Sequence, residues 1–156
     1  MQIYSKTGVG LVLSIALGVT QACTGLSAEE GHQTKRDTLV DQYVLSLNEC
    51  DPSSFGELMD DAHQGYAVKG VLDGGFNVEA LRKQCDAGFR MSVQTASVTW
   101  TSQPQDRTQI VSFDLLGTLS HPERGTNSNN LRVTLVASLG DDETLKIRHS
   151  HISPMG

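Results

Sequence analysis

Two segments in the second half of the chain alternate regularly between apolar and polar residues. Residues 107–120 place most of their apolar side chains on one parity, and residues 131–139 have an apolar residue at every second position. A period of two is typical of β-strands that bury one face and expose the other. Such strands need neighbours and a covering layer to bury their apolar faces. The chain is therefore predicted to fold around an antiparallel sheet with one apolar face.

Helical patterns precede these strands. From Thr34, apolar residues recur at three- and four-residue spacing, which predicts a first helix that ends near residues 48–50. Asp51 with Pro52 suits the start of a second helix, and Asn77 suits the N-cap of a third. The other segments are predicted as a strand at 65–70, a turn at 73–75, a strand at 97–102, a polar loop at 121–130 and a last strand at 145–152. Helices followed by strands predict an α+β domain.

The N-terminus has the pattern of an export signal. Lys6 precedes an apolar run at residues 9–19, and small residues follow it. The run is shorter than the ~20 residues that span a bilayer as a helix, whereas a basic start and a short apolar stretch are typical of signal peptides. We expect residues 1–22 to be a signal peptide, residues 23–33 a flexible tether and residues 34–156 the folded domain. The alternative is that the apolar run forms a buried core helix.

The end of this signal fits two kinds of processing. Ala22 before Cys23 suits ordinary cleavage, and residues 26–28 offer a second ordinary site. The same stretch is also a degenerate lipobox, in which Cys23 is the lipidation site, although Thr20 and Gln21 depart from the usual pattern. Both alternatives predict an exported protein, located in the periplasm of a bacterium or, as a lipoprotein, in its outer membrane.

The number of cysteines also bears on export and on the processing at Cys23. The chain has Cys23, Cys50 and Cys85. If Cys23 carries lipid or leaves with the signal, the other two remain as a pair, and an oxidising compartment lets them form a disulfide. The closed loop would contribute on the order of 3–4 kcal/mol to stability. Two separate buried thiols are the alternative.

Charge and motifs narrow the classes of function. The chain carries a formal net charge of −6 at pH 7. An acidic domain lacks the basic surface that a phosphate backbone requires, so nucleic acid is not an expected partner. The sequence also has no nucleophile elbow, phosphate-binding loop or paired-cysteine metal motif.

The end of the chain carries its sharpest motif. Residues 131–139 (LRVTLVASL), an acidic turn and the segment KIRHSHISP form a predicted hairpin containing His149, His151 and Ser153. With the helix–Asp–helix opening LVDQYVLSLNECDPSSFGELM, this ending resembles the SnoaL-like branch of the nuclear transport factor 2-like superfamily. Within it, the association domain of calcium/calmodulin-dependent kinase II is the most similar type. That branch typically ends in a Trp-led strand with His-x-His-x-Ser, and Leu145 stands where the Trp often occurs.

The resemblance covers nearly the whole expected mature chain. It implies a curved antiparallel sheet wrapped by about three helices into a cone, an α+β fold also described as cystatin-like. It further implies a pocket inside the cone and a homodimer formed through the sheet. Because members include isomerases, cyclases, dehydratases, hydrolases and non-catalytic modules, the fold does not decide the function.

Three functions therefore stay open. The first is a module that binds a small, partly apolar ligand or serves in assembly. The second is a cofactor-independent isomerase, dehydratase or cyclase, which uses a pocket histidine and a carboxylate as acid and base. The third is a structural partner of another envelope protein through the sheet face. No cofactor is expected in any of them.

The alternation of side chains along the strands predicts which residues could be catalytic. It predicts that His149 and His151 share the helix-facing side of the last strand with Ile147, where an imidazole can act as acid or base. Structural histidines are the alternative. Asp114 is the third candidate catalytic group, and its alternative is an ion pair with Arg132 on the polar face of the sheet.

Some further residues are candidates for binding a ligand or a metal ion. The candidate ligand-binding residues are Tyr66, Trp100, Arg132, His149 and His151. Core or interface positions are the alternative for Tyr66 and Trp100. A His-x-His pair can also bind a metal with a third ligand from Asp60, Asp61 or His63. No spacing in the chain requires such a site, so no metal is expected. These three residues are predicted to form a solvated helix end, and a position at the rim of the pocket is the alternative.

Overall fold

The computed structural model describes residues 28–67, 77–103 and 105–155. The predicted signal peptide, Cys23 and the predicted turn at 73–75 lie outside these residues. The elements in chain order are α1 (Ala28–Glu49), α2 (Pro52–Glu57), β1 (Met59–Ala67), α3 (Val78–Asp86), β2 (Arg90–Trp100), β3 (Thr108–His121), β4 (Gly125–Ser128), β5 (Leu131–Leu139) and β6 (Leu145–Pro154). In the described part of the chain, no helix is both long enough and apolar enough to cross a membrane.

Side-chain caps start the second and third helices where the sequence predicts. The Asp51 carboxylate accepts a hydrogen bond from the Ser54 backbone N–H at 3.1 Å, and Pro52 occupies the first turn of α2. The Asn77 side chain accepts from the Ala80 backbone N–H at 2.8 Å at the start of α3. Both predicted N-caps are confirmed.

The first helix begins earlier than predicted. It starts at Ala28, so the prediction of a flexible tether at 23–33 is wrong for residues 28–33. Ala, Glu and Gln in this stretch have high helix propensity but form no apolar stripe, so periodicity alone misses them. The helix ends at Glu49. Cys50 follows it with a left-handed φ of 56°, and the Asp51 N–H donates back to the Ser46 carbonyl at 2.9 Å.

The strands form one sheet in the order β1-β6-β5-β3-β2, with β4 also paired to β3. β1 and β6 are parallel and all other pairs are antiparallel, so the expectation of an entirely antiparallel sheet is wrong at this edge. No hairpin joins β1 to β6, and the order of elements along the chain therefore does not fix their relative direction.

Two strand boundaries also differ from the sequence prediction. Residues 125–128 of the predicted polar loop form β4, whose four residues are all exposed. A strand without a buried face has no apolar alternation, so the pattern does not reveal it. β2 begins at Arg90 and not at residue 97, and its first half buries Met91 and Val93.

The helices pack on one face of the sheet, which we call the inner face; the opposite side is the outer face. Tyr43 of α1 is fully buried, with its ring centroid 5.2 Å from that of Phe55 in α2 and 5.8 Å from that of Phe113 in β3. The strands contribute Val111, Leu115, Leu131, Val133, Leu135, Ala137, Ile147 and Ile152 to the same core. In the described part of the chain, packed side chains fill the centre of the inner face.

A close crossing of two strands accompanies the curvature of the sheet. A Cβ atom at Gly117 of β3 would lie 2.0 Å from the backbone oxygen of Ser92 in β2. No side chain fits at that distance, so glycine permits the close approach of the two backbones.

A disulfide joins the end of α1 to α3. Cys50 and Cys85 are bonded, and their Cα atoms lie 5.8 Å apart, within the usual range. The predicted pairing is confirmed, and the alternative of two separate thiols does not apply. The bridge closes a loop that contains α2 and β1.

Candidate functional site

A β-bulge in β6 decides where the two motif histidines point. The register between β5 and β6 shifts between Val136 and Ala137, which leaves Arg148 as an extra residue on β6. One extra residue reverses the side-chain parity of the strand beyond it. His149 and His151 therefore lie on the outer face. The prediction that they share the inner face with the apolar residues at the start of the strand is wrong.

The sequence does contain a signal of this reversal. Leu145 and Ile147 are apolar at odd positions, whereas Ile152 is apolar at an even position. Ile147 and Ile152 are both completely buried, and so is Ser150. A strand of constant parity cannot bury both isoleucines on one face, so an extra residue between them is required.

Cross-strand partners share a face, and the register therefore orders the outer face into rows. From β3 through β5 to β6, the rows are Asp114–Arg132–Ser153, Ser112–Thr134–His151 and Ile110–Val136–His149. Tyr66 of β1 is the parallel partner of His151 and extends the second row. The outer face thus brings together His149, His151, Asp114, Arg132 and Tyr66, all of them site residues predicted from the sequence.

Tyr66 and His149 form the aromatic part of this face. Their ring centroids lie 5.0 Å apart, and Tyr66 is 54% exposed. His149 is half-buried and His151 is exposed. An exposed tyrosine presents a large apolar ring with a polar tip, which is typical of residues at protein interfaces.

Asp114 and Arg132 form the ion pair that the sequence suggested. Arg132 Nε donates to Asp114 Oδ1 at 2.9 Å, and the pair lies on the polar face of the sheet. The hydrogen bond from Arg132 is the largest of the causes that lower the pKa of Asp114, and burial opposes it. Asp114 therefore stays ionised at neutral pH, and its lowered proton affinity makes it a weak general base.

The carboxylate and the imidazoles are also separated across the sheet. Asp114 lies on β3 and His151 on β6, with β5 between them. Two strand spacings place their backbones about 10 Å apart. The carboxylate and the imidazoles therefore project from strands that are not neighbours, with β5 between them.

His63 lies on the other side of the same strands. Its Nε2 is hydrogen-bonded to Ser150 Oγ at 3.0 Å, and Ser150 is on the inner face. Burial lowers the pKa of His63, with a further lowering from His149 and an opposing effect of Asp60. His63 is therefore neutral at pH 7. The sequence does not predict its contact with Ser150, which becomes apparent only once the bulge is known.

The residues considered for a metal site lie in a strand. Asp60, Asp61 and His63 belong to β1, so the prediction that they form a solvated helix end is wrong. Asp60 is paired with Arg148 at 3.3 Å. Within residues 28–67, 77–103 and 105–155, no group of three His, Cys, Asp or Glu side chains is arranged to hold a metal ion.

Trp100 is placed apart from the other predicted site residues. It packs against the core, and the Arg36 guanidinium lies 4.8 Å from its ring centroid. Arg36 is 4% exposed and donates to Gln109 Oε1 at 2.8 Å and to the Ser102 carbonyl at 2.6 Å. Burial lowers the pKa of Arg36. These contacts tie α1 to the β2–β3 connection, so Trp100 has a core position, the alternative considered from the sequence.

A groove of about 390 Å³ opens between α1, α2 and the turn before β6. Its apolar lining includes Leu39, Leu58 and Leu145. Lys35 and Glu143 form an ion pair at 3.1 Å on its rim. The groove contains none of the site residues predicted from the sequence, and it offers a small, partly apolar surface with charged edges.

Comparison with known proteins gives the fold a context. No family model matches the chain, and no curated protein matches it. Solved structures do match. A domain from Exiguobacterium sibiricum, provisionally assigned as a calcium/calmodulin-dependent kinase II association domain, has a TM-score of 0.65 and 14% identity, covering 80% of this chain and 93% of its own.

Two further solved structures are similar. An NTF2-like superfamily protein from Salmonella enterica serovar Typhimurium has a TM-score of 0.63 and 15% identity, covering 81% of this chain and 94% of its own. A ketosteroid isomerase-like protein from Erwinia carotovora atroseptica has a TM-score of 0.58 and 12% identity, covering 77% and 93%. The chain therefore has the nuclear transport factor 2-like cone fold, and the resemblance seen in the sequence is confirmed at the level of fold.

Proposed function

We propose that the chain is an exported, non-catalytic assembly module of the SnoaL-like type that forms a homodimer through the outer face of its sheet. The observation that carries the proposal is the parity change in β6. It turns the motif histidines outward beside Tyr66, while packed side chains occupy the inner face. The residues that distinguish this sequence are therefore available to a partner and not to a molecule inside the cone.

The composition of the outer face supports self-association. Ile110 is 36% exposed in a row with Val136 and His149, and Tyr66 lies beside them. Aromatic and aliphatic groups of this kind supply most of the binding energy at protein interfaces. In a two-fold dimer the same patch of both subunits forms the interface. The apolar row of one subunit would therefore pack against the same row of its partner.

Substitution of Ile110 tests this proposal. In Ile110→Glu the dimer interface would gain two apposed carboxylates, and like charges at an interface cost several kcal/mol. We expect the wild type to have twice the monomer mass by light scattering and native mass spectrometry. The variant should be monomeric, with its dimer dissociation constant raised at least about 100-fold.

Leu45→Glu is the matched control. Leu45 is 43% exposed on α1, so it receives the same charge on a surface outside the sheet. It should remain dimeric, and thermal unfolding should establish that both variants are folded. A monomeric wild type, or equal loss of the dimer in both variants, would contradict the proposal.

Export is part of the same proposal. The Cys50–Cys85 bridge supports it, because disulfides persist in oxidising compartments. Cell fractionation should recover the protein outside the cytoplasm. If the protein is labelled by palmitate and its processing is blocked by globomycin, Cys23 carries a lipid. If the protein is exported without label and globomycin has no effect, the signal peptide is removed by ordinary cleavage. Retention of the precursor in the cytoplasm would contradict the export proposal.

A second candidate is the binding of a small, partly apolar ligand in the groove between α1 and α2. The apolar lining from Leu39, Leu58 and Leu145 favours it, and native mass spectrometry of the same sample would detect a retained small molecule. The isomerase, dehydratase or cyclase alternative has less support. Its proposed imidazoles and its carboxylate are separated by a strand, and the carboxylate is held by Arg132.

A further inference from the structure

The surroundings of the disulfide are asymmetric in charge. Arg90, the first residue of β2, is exposed, and its Nη1 lies 3.7 Å from Cys50 Sγ. The same nitrogen donates to the carbonyl oxygens of Cys85 at 2.9 Å and Phe89 at 2.7 Å. These two hydrogen bonds fix the guanidinium beside the bridge, and the sulfur that it contacts is that of Cys50.

A fixed cation beside one sulfur affects how a disulfide reacts. Exchange begins when a thiolate attacks one sulfur and the other sulfur leaves as a thiolate. A neighbouring arginine stabilises a thiolate and keeps its charge at every physiological pH. In this bridge, therefore, the electron pair of the broken bond is better accommodated on Cys50 than on Cys85.

We propose that the bridge is a thiol-exchange site with a fixed direction, in which Cys85 is the sulfur attacked and Cys50 is the leaving group held by Arg90. The partner is a dithiol oxidoreductase. Its first thiolate forms a bond to Cys85 Sγ as the Cys50–Cys85 bond breaks, and the electron pair passes to Cys50. Its second thiol, once deprotonated, then displaces Cys85. Both chain cysteines end reduced, and the partner ends oxidised with its own disulfide.

The position of the bridge is compatible with this chemistry. Cys50 and Cys85 are each half-buried, so solvent reaches the bridge region. Exchange breaks the disulfide cross-link between the end of α1 and α3. The α3 helix then depends on its non-covalent contacts, including the fully packed Leu81.

Glutathione, a single thiol that traps the mixed disulfide, tests the direction of exchange. The folded protein is treated at pH 7.5 and quenched with acid, free thiols are alkylated, and the peptides are mapped by mass spectrometry. In the wild type we expect glutathione on Cys85 and the alkyl group on Cys50. Glutathione mainly on Cys50, or equally on both cysteines, would overturn the proposal even without any variant.

Variants at Arg90 test the cause. Arg90→Gln should lose the preference for Cys85 and react about three-fold more slowly, the size expected for a moderate change in a leaving thiol. Arg90→Lys keeps the charge and should retain the preference. Arg82→Gln removes an exposed arginine of α3 that pairs with Glu79, and it should behave as wild type. An Arg90→Gln protein that reacts as fast as wild type with unchanged preference would refute the role of Arg90.

Discussion

Replacing both bridge cysteines by serine is expected to lower the free energy of unfolding by about 4 kcal/mol. Cys50 and Cys85 are 35 residues apart in sequence, and opening a loop of that size returns substantial entropy to the unfolded chain. Small domains have stabilities of only about 5–15 kcal/mol, so the loss is a large part of the total. Urea unfolding followed by circular dichroism would measure it.

Reduction of the wild type supplies the control for this prediction. If the covalent link is responsible, wild-type protein in excess dithiothreitol should lose about as much stability as the Cys50→Ser, Cys85→Ser variant in non-reducing buffer. The variant itself should not respond to dithiothreitol. Equal unfolding midpoints for oxidised and reduced wild type would show that the link contributes nothing.

Features that depend on neighbouring residues could be predicted from the sequence. Asp51 and Asn77 mark helix starts because their side chains bond to backbone N–H groups two or three residues later. The bounds of β5 were predicted without error, because every second residue from Leu131 to Leu139 faces the core. These signals, with the resemblance at the end of the chain, sufficed for the fold class.

Features that depend on pairing between distant strands could not be predicted from the sequence. The extra residue at Arg148 is defined by the register against β5, and a strand considered alone gives no register. The parallel direction of β1 depends in the same way on its contact with β6. His149 and His151 were therefore predicted on the wrong side of the sheet, whereas the ion pair of Asp114 with Arg132 on the polar face was among the alternatives that the sequence offered.

The packing of α1 on the inner face can be tested by comparing a buried leucine of this helix with an exposed one. Leu47 is 1% exposed and Leu45 is 43% exposed, although they are two residues apart in one helix. Truncation of a buried leucine removes apolar contacts and leaves a cavity. We therefore expect Leu47→Ala to lower the free energy of unfolding by about 3 kcal/mol, within the usual range of roughly 2–5 kcal/mol.

Leu45→Ala makes the same chemical change in the same helix, so differences in helix propensity cancel between the two variants. Because Leu45 faces solvent, its truncation should change stability by no more than about 0.5 kcal/mol. Urea unfolding of both variants at one pH gives the comparison. Equal losses would mean that α1 does not cover the inner face as described. The assignment of His149 and His151 to the outer face would then lose its basis, because that face is defined by the side of the sheet that α1 leaves open.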